Sequence, residues 1–453
     1  MNALTLDAPQ DDQAQNRFKF LLNLQMQAAV FMGMVNMGGV DGGSSGNDAN
    51  SPTRQAIWGG MALLAIGFLV MRSLTRRKPI CSFGGWPIAL LLTYLGASAF
   101  WSYDPVVTVK RTILLGIVVL VCGASVGRGD PNWREDTFSR LMMPPMGLLI
   151  ALSFLVTVAM PGSAFTDIGW RGIASHKNEA GQMTSYAILV FLYGVCHDKL
   201  GIKLRAALIV ATFACFMMAK STTALLGFFF ALGLTELIML PRTIRSLGTW
   251  RIPLAIVILL GSSVLFFAFI LDMVPTAETM YAKFLDALGK SENFTGRTAI
   301  WDMVLGESRF HNPLIGGGYA AFWVGRQSVS GYVLTGGGIL YPGQSHNGYV
   351  DVYNDLGYVG LGILALLIVV SLVNSIRALK MGHPEARLHL AIVFMCTFLN
   401  LGESTFFRGT GLMSIVFIAS FIRVSAIVRR NRLESRSAES GQSVAHVRRD
   451  LSV

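Results

Sequence analysis

Apolar residues in this chain gather into blocks long enough to cross a bilayer, and nothing else narrows its fold so far. Segments of about 17–25 apolar residues can span the hydrocarbon layer as helices. Roughly twelve fit here, near residues 20–40, 55–71, 85–101, 112–127, 141–160, 182–197, 204–219, 222–240, 252–274, 353–375, 388–403 and 410–428. Composition agrees: 53% of the 453 residues are hydrophobic and only 14% are charged, too few charges to clothe a soluble surface of this size. The expected fold is all-α, a polytopic membrane bundle of about 12 spans. Asn23, Gln25, Gln27 and Asn36 interrupt the first span. The seventh and eighth nearly merge through Lys220-Ser221-Thr222, which predicts a tight hairpin or a kinked pair.

Basic residues set the orientation. One alternating set of loops carries Arg72/Arg76/Arg77/Lys78, Arg128/Arg134/Arg140, Lys199/Lys203/Arg205, Arg242/Arg245/Arg251, Arg377/Lys380/Arg387 and the tail from Arg429. The positive-inside rule puts these loops and both termini in the cytoplasm. Lys110-Arg111 is a discordant pair among the outside loops. The formal net charge of +11 is therefore spent on membrane orientation, and no nucleic-acid partner is expected. The chain divides into a cytoplasmic segment 1–19, spans over 20–273, a large outside loop 274–345, spans over 346–428 and a basic tail 429–453. The tail is polar and Ser-rich, so it is expected to be disordered, and it suits anionic lipid headgroups. The polar, acidic-tinged start is no signal peptide. Cys81, Cys122, Cys196, Cys215 and Cys396 show no CxxC spacing, which speaks against a zinc site or a disulfide framework.

The outside loops hold the chemistry. Residues 274–345 are not of low complexity, and Ile300, Trp301, Val304 and Leu305 predict a short helix along the membrane face, followed by a turn through Gly316–Gly318. The loop ends at His346-Asn347, with Asp351 and Asp355 one and two helical turns on. A lone interfacial histidine satisfied by water is the simpler reading of His346. Its neighbours argue for more: Arg297, Asn347 and Asp351 fall on the same side. So do Arg171, His176, Lys177, Asn178 and Glu179 of the 161–182 loop, as well as Lys220, Glu403 and Arg408. Loop polarity alone would explain the 171–179 group, and snorkelling would explain Lys220. Arginines and a lysine gripping an anion, beside a histidine able to take a hydroxyl proton, describe group transfer from a diphosphate carrier to an alcohol. No HExxH or P-loop is present, and the GxSxG matches at Ser44 and Ser125 lack a strand-turn-helix setting. No metal and no cofactor are inferred.

The pattern Gly296-Arg297…Ile300-Trp301…Asn312-Pro313-Leu314-Ile315-Gly316-Gly317-Gly318 resembles the O-antigen ligase / Wzy-type polymerase superfamily. Ser345-His346-Asn347-Gly348-Tyr349 followed by Leu356-Gly357-Tyr358-Val359-Gly360-Leu361 resembles it too, and Arg171-Gly172-Ile173…Ser175-His176-Lys177-Asn178-Glu179 looks most like its exopolysaccharide-polymerase branch. The resemblance implies a metal-independent glycosyltransferase of the bacterial inner membrane, using undecaprenyl-diphosphate-linked oligosaccharide at the periplasmic face. It implies polymerisation of repeat units into exopolysaccharide or O-antigen, or ligation to lipid A core or protein, with a flippase and a chain-length regulator as pathway partners. A lipid-linked glycan flippase is the alternative of another class. By the same resemblance Arg297 is expected to hold the leaving diphosphate, and His346 to act as base or to orient the acceptor. Arg171, His176, Lys177, Asn178, Lys220, Trp301, Asn347, Asp351 and Glu403 complete the substrate site. Relatives carry Ser-Arg where this chain has Lys220-Ser221, and lysine offers a point charge rather than a fork.

Overall fold

The computed structural model describes residues 8–34, 52–74, 81–127, 137–166, 169–195, 201–239, 295–306, 312–334 and 341–450. The expected ninth span at 252–274, much of the 274–345 loop and the basic clusters at 76–78, 128–134, 199 and 242–251 lie outside the described residues.

The described regular structure is helical, apart from one hairpin of two two-residue strands. Its helices are α1 (Ala8–Met32), α2 (Pro52–Leu74), α3 (Trp86–Ala97), α4 (Pro105–Val126), α5 (Thr137–Ala159) and the single turn α6 (Pro161–Ala164). Strands β1 (Phe165–Thr166) and β2 (Gly169–Trp170) pair antiparallel. Then come α7 (Lys177–Tyr193), α8 (Ile202–Met218), α9 (Thr222–Met239), α10 (Thr295–Gly306), α11 (Gly348–Lys380), α12 (Ala386–Leu399) and α13 (Leu412–Asp450).

Five of these helices are long and apolar enough to cross a membrane: α4, α5, α9, α11 and residues Leu412–Ser435 of α13. Three shorter apolar helices lie at Gln55–Met71, Trp86–Trp101 and Ala386–Leu399. Against the expectation of about twelve spans, α1 is diluted by Arg17, Lys19, Gln25 and Gln27, and α7 opens on Lys177-Asn178-Glu179. The outcome is an all-α polytopic membrane bundle. Leu63, Phe154, Val210, Phe229 and Val369 stand exposed on outward faces, a pattern that water penalises and lipid does not. α12 and α13 form the centre, with Ile392, Met395, Ile415, Phe421 and Ile422 fully or almost fully buried. The basic tail, expected to lack regular structure, continues α13 to Asp450. Good helix formers and the Arg430–Glu434 pair, four residues apart, support that continuation.

One junction fixes the geometry of the active end. α11 breaks at Gly357 (φ 63°, ψ −162°), and the turn 313–318 crosses the break. The amides of Gly317 and Gly318 donate to the Asn354 and Asp355 carbonyls (3.0 and 2.9 Å), while those of Tyr358 and Val359 donate to Pro313 and Leu314 (2.9 and 3.0 Å). Backbone groups freed by the break are thus satisfied by the turn, as an apolar setting demands. Any side chain here would collide, since a Cβ on Gly357 would stand 2.3 Å from the Leu314 carbonyl carbon and one on Gly316 2.3 Å from the Leu356 nitrogen.

Loops of the two sequence-assigned sides gather at opposite ends of the bundle. At one end Ser82 meets Gly127 (2.7 Å), and Ser139 and Arg423 meet Glu385 (2.8 and 2.9 Å). At the other, Tyr103 meets Gly317 (3.0 Å), Gly348 meets Asn400 (2.8 Å) and Asn178 meets Glu403 (2.6 Å). The discordant Arg111 belongs to this second end, where its guanidinium holds the Ala320 carbonyl. Its charge serves the loop rather than orientation.

Candidate active site

Glu403, in the turn between α12 and α13, is the hub. Its Oε1 accepts from Asn178 Nδ2 at 2.6 Å and from Arg297 Nη2 at 3.0 Å, and its Oε2 lies 3.3 Å from His346 Nδ1. Three separate stretches of sequence therefore converge on the carboxylate of a fourth. The side chains of Glu403, Arg297 and His346 are 7, 17 and 27% exposed, a gradient that runs from a sealed floor to an open mouth.

Burial alone would raise the Glu403 carboxyl. The hydrogen bond to His346 and the charges of Arg297, His346 and His176 outweigh it and hold the group below its ordinary value. An ionised Glu403 selects the His346 tautomer protonated on Nδ1, which leaves the Nε2 lone pair for a proton. Nε2 makes no hydrogen bond among the described residues. The Gln344 side-chain amide also lies 3.2 Å from Nδ1; this contact had no signal in the sequence beyond adjacency.

Arg297 brings a second feature. Its Nη1 is buried and has no hydrogen-bond partner among the described residues, an expensive state for a guanidinium donor. Gly402 lets it approach: a Cβ there would stand 3.0 Å from Nη1. A charged donor kept close to a pocket floor without a partner is suited to an incoming anion.

His176 precedes α7 and caps it, its Nδ1 accepting from the Asn178 amide at 3.2 Å. Burial lowers its pKa. Glu403 pulls it up, and Lys177, His346 and Arg297 push it down again. These same influences place His176 and Lys177 beside the Glu403 cluster. Asn178 reaches further, to Ser221 Oγ at 3.2 Å, so it bridges α7, the turn before α9 and Glu403. Lys220 stands exposed on that turn, next to the Ala219 carbonyl and Gly169, which also borders the Lys177 stem.

Four non-glycine residues among the described ones have positive φ: Lys220 (48°), Ala320 (54°), His346 (53°) and Phe407 (54°). All four lie in turns at this end of the bundle. Left-handed backbone costs on the order of 1 kcal/mol or more per residue and gathers where function demands it.

The remaining sequence-nominated residues sit differently. Arg171 donates to the carbonyls of Ser163 (2.8 Å) and Ser175 (3.5 Å), bracing its own loop; among the described residues no hydrogen bond joins it to Arg297 or His346. Trp301 Nε1 donates to the Ser345 carbonyl at 2.8 Å and so fixes the residue before His346. Asn347 is buried as the N-cap of α11, its Oδ1 accepting from the Tyr349 and Val350 amides at 3.0 and 3.2 Å. Asp351 is 7% exposed; its Oδ1 accepts from Trp323 (2.9 Å) and the Ser345 amide (3.2 Å), and its Oδ2 from Arg408 (2.6 Å). Trp301, Asn347 and Asp351 thus hold the His346 turn in place through these hydrogen bonds. One residue of the same framework, Trp323, has no signal of its own in the sequence, because only its hydrogen bond to Asp351 reveals it.

An O-Antigen ligase family model matches residues 207–365, which include Lys220, Arg297, Trp301, His346, Asn347 and Asp351. Glu403 and the 171–179 loop fall outside it. Among curated proteins, the Exopolysaccharide production protein ExoQ of Rhizobium meliloti (strain 1021) is 29% identical over 101 residues, 21% of this chain and 22% of the relative. The aligned part therefore spans about a fifth of that relative's length. Both findings support the O-antigen ligase / Wzy superfamily and, within it, the exopolysaccharide branch.

Proposed function

We propose that this membrane protein is a glycosyltransferase that joins undecaprenyl-diphosphate-linked oligosaccharide repeat units into exopolysaccharide or O-antigen at the periplasmic face of the inner membrane. Both termini then lie in the cytoplasm. The observation that carries the reading is Glu403 held between Arg297 and His346 Nδ1. His346 Nε2 takes the proton of an acceptor hydroxyl. That oxygen attacks the anomeric carbon of the donor, and the bond from that carbon to the diphosphate oxygen breaks. The diphosphate departs with its electron pair onto Arg297, whose Nη1 is unmatched, with Lys177 and Lys220 supplying further positive charge. Arg171 braces the loop that presents His176 and Asn178.

Polymerisation is favoured by the exopolysaccharide relative. Ligation to lipid A core or protein uses the same donor chemistry and differs only in the acceptor. A flippase delivering the donor and a chain-length regulator are the expected partners. Deleting the gene and separating surface glycans by size tests the reading. Loss of high-mass polymer with single repeats retained supports it, and long chains stranded on the carrier would make the protein a ligase. Unaltered surface glycans would sink both.

A further inference from the structure

Away from the Glu403 hub, the same end of the bundle holds a cleft of about 560 Å³. One wall is Tyr103-Asp104, the turn before α4, and the other is the loop of residues 321–329, including Arg326, Gln327 and Ser328. Its size falls within the range of small-molecule sites, about 300–1,000 Å³. Its walls offer one aromatic ring and a set of planar polar groups: a carboxylate, a carboxamide and a guanidinium. Such groups match vicinal hydroxyls with paired hydrogen bonds, while an aromatic face suits the apolar C–H surface of a sugar ring. The Asp104 carboxylate disfavours a phosphate at this position.

The walls are held firmly. The Tyr103 ring lies over Gly317, where a Cβ would approach within 2.1 Å of it, and Tyr103 N donates to the Gly317 carbonyl at 3.0 Å. Asp104 Oδ1 caps α4 by accepting from the Val107 amide at 3.0 Å, which leaves Oδ2 for a ligand hydroxyl. Ser328 Oγ and Ser330 Oγ tie the loop back to the Phe322 carbonyl at 3.2 and 2.7 Å. The cleft is also coupled to the reacting centre. Trp323, inside the same loop, hydrogen-bonds Asp351 at 2.9 Å, and Asp351 holds the Ser345 amide at 3.2 Å, one residue before His346.

We propose that this cleft is a glycan subsite, binding sugar residues of the growing chain that lie beyond the reacting unit. The inference rests on the glycan-polymerase reading and adds where the chain is gripped. It makes the Tyr103–Gln327 cleft a determinant of chain length, separate from the bond-forming groups.

The test uses the full-length protein in nanodiscs and, as probe, the neutral oligosaccharide released by partial hydrolysis of the host's own surface polysaccharide. Binding is read by quenching of tryptophan fluorescence, with inorganic pyrophosphate as a second probe. Tyr103→Ala and Gln327→Ala should each weaken oligosaccharide binding about tenfold. In the deletion strain, both variants should still extend chains but shift the polymer to shorter lengths at an unchanged membrane level. His346→Ala should keep oligosaccharide binding and lose polymer. Gln327→Ala, on a loop away from the bundle core, guards against a folding defect in Tyr103→Ala. No oligosaccharide binding by the wild type, or wild-type binding and polymer length in both variants, would overturn the subsite. Pyrophosphate protecting against quenching through Gln327 would overturn it as well. Unaltered glycans in the deletion strain would instead remove the polymerase reading, a separate outcome from either of these.

Discussion

Two acid–base clusters sit at opposite ends of this bundle, and they share an inventory: one glutamate, one arginine and two histidines each. At the end distant from the candidate active site, Glu385 is fully buried and Arg423 2% exposed. Glu385 accepts from Arg423 Nε at 2.9 Å, and from the Ser139 amide and hydroxyl at 2.8 and 3.2 Å. His389 packs against Phe138 and meets Ser420 at 2.8 Å, and His383 lies in the turn before α12. The cluster is assembled from helix ends, and it ties α5, α12 and α13 together. At the other end, Glu403, His346 and His176 come from turns, with His346 in left-handed backbone, Arg297 comes from the first turn of α10, and accessibility rises from Glu403 to His346. The lesson is that ionisable residue types do not by themselves mark a site. Access and left-handed backbone distinguish the Glu403 cluster from the Glu385 clamp.

If that contrast is right, histidine and glutamate substitutions should fail in different ways at the two ends. His346→Ala should cut chain extension by about 10²–10⁴-fold while the protein accumulates normally in the membrane. Glu385→Ala should instead strand Arg423 in the interior and cost roughly 3–5 kcal/mol, so the protein level falls while activity per folded molecule holds. Comparing polymer yield with immunodetected protein decides between them; a catalytic defect at normal level in Glu385→Ala would break the distinction.

Arginine geometry sharpens it further. Arg297→Lys keeps the charge and loses the fork, so activity should drop on the order of ten- to a hundredfold. The paired change Glu385→Leu with Arg423→Met removes both charges of the clamp, and it should leave folding within about 1–2 kcal/mol of wild type. Full polymer from Arg297→Lys would reduce Arg297 to packing. Gly402→Ala is a milder probe, because its Cβ would press Arg297 Nη1 at 3.0 Å and Thr223 Cγ2 at 2.8 Å. A several-fold loss is expected, seen as a raised KM for the lipid-linked donor.

The smallest effects concern pH and fall in different windows. His383 is pushed down to about 4 by burial and by Arg423 and Arg430, from an ordinary 6.5. Its folded state resists protonation, so its contribution to stability is complete above pH 6.5 and fades as pH falls towards 4. Glu403 is also depressed, from an ordinary 4.5, so its contribution persists above that value and is lost only at lower pH. Thermal unfolding in nanodiscs should therefore lose part of its pH 4–6.5 slope in His383→Asn, and part of its slope below 4.5 in Glu403→Gln. Identical pH profiles in the two variants would deny that the clusters titrate independently.

Much of the site could be read without coordinates. His346, Arg297, Asn178 and Glu403 were all visible as polar groups in apolar surroundings on one expected side. Their ranking was not visible. Glu403 stood out only as a polar residue between two apolar blocks, because its role comes from contacts across more than 100 positions of sequence, to Arg297 and Asn178. Asp351 and Asn347 looked like ligand groups since carboxylates and amides at a membrane edge are costly, yet the structure spends their lone pairs on Trp323, Arg408 and helix amides. Arg111 looked like an orientation anomaly until its carbonyl partner was seen.

What the sequence by itself determined is the helical, membrane-borne architecture and which loops share an end, because apolar length and basic charge act locally and need no partner. Tertiary structure alone decided which of the gathered polar groups converge on Glu403 and which lock the frame. That choice depends on convergence around Glu403, on the turn threaded through the Gly357 break, and on which donors are left unmatched. Those are properties of distance and satisfaction in three dimensions, and a linear pattern does not encode them.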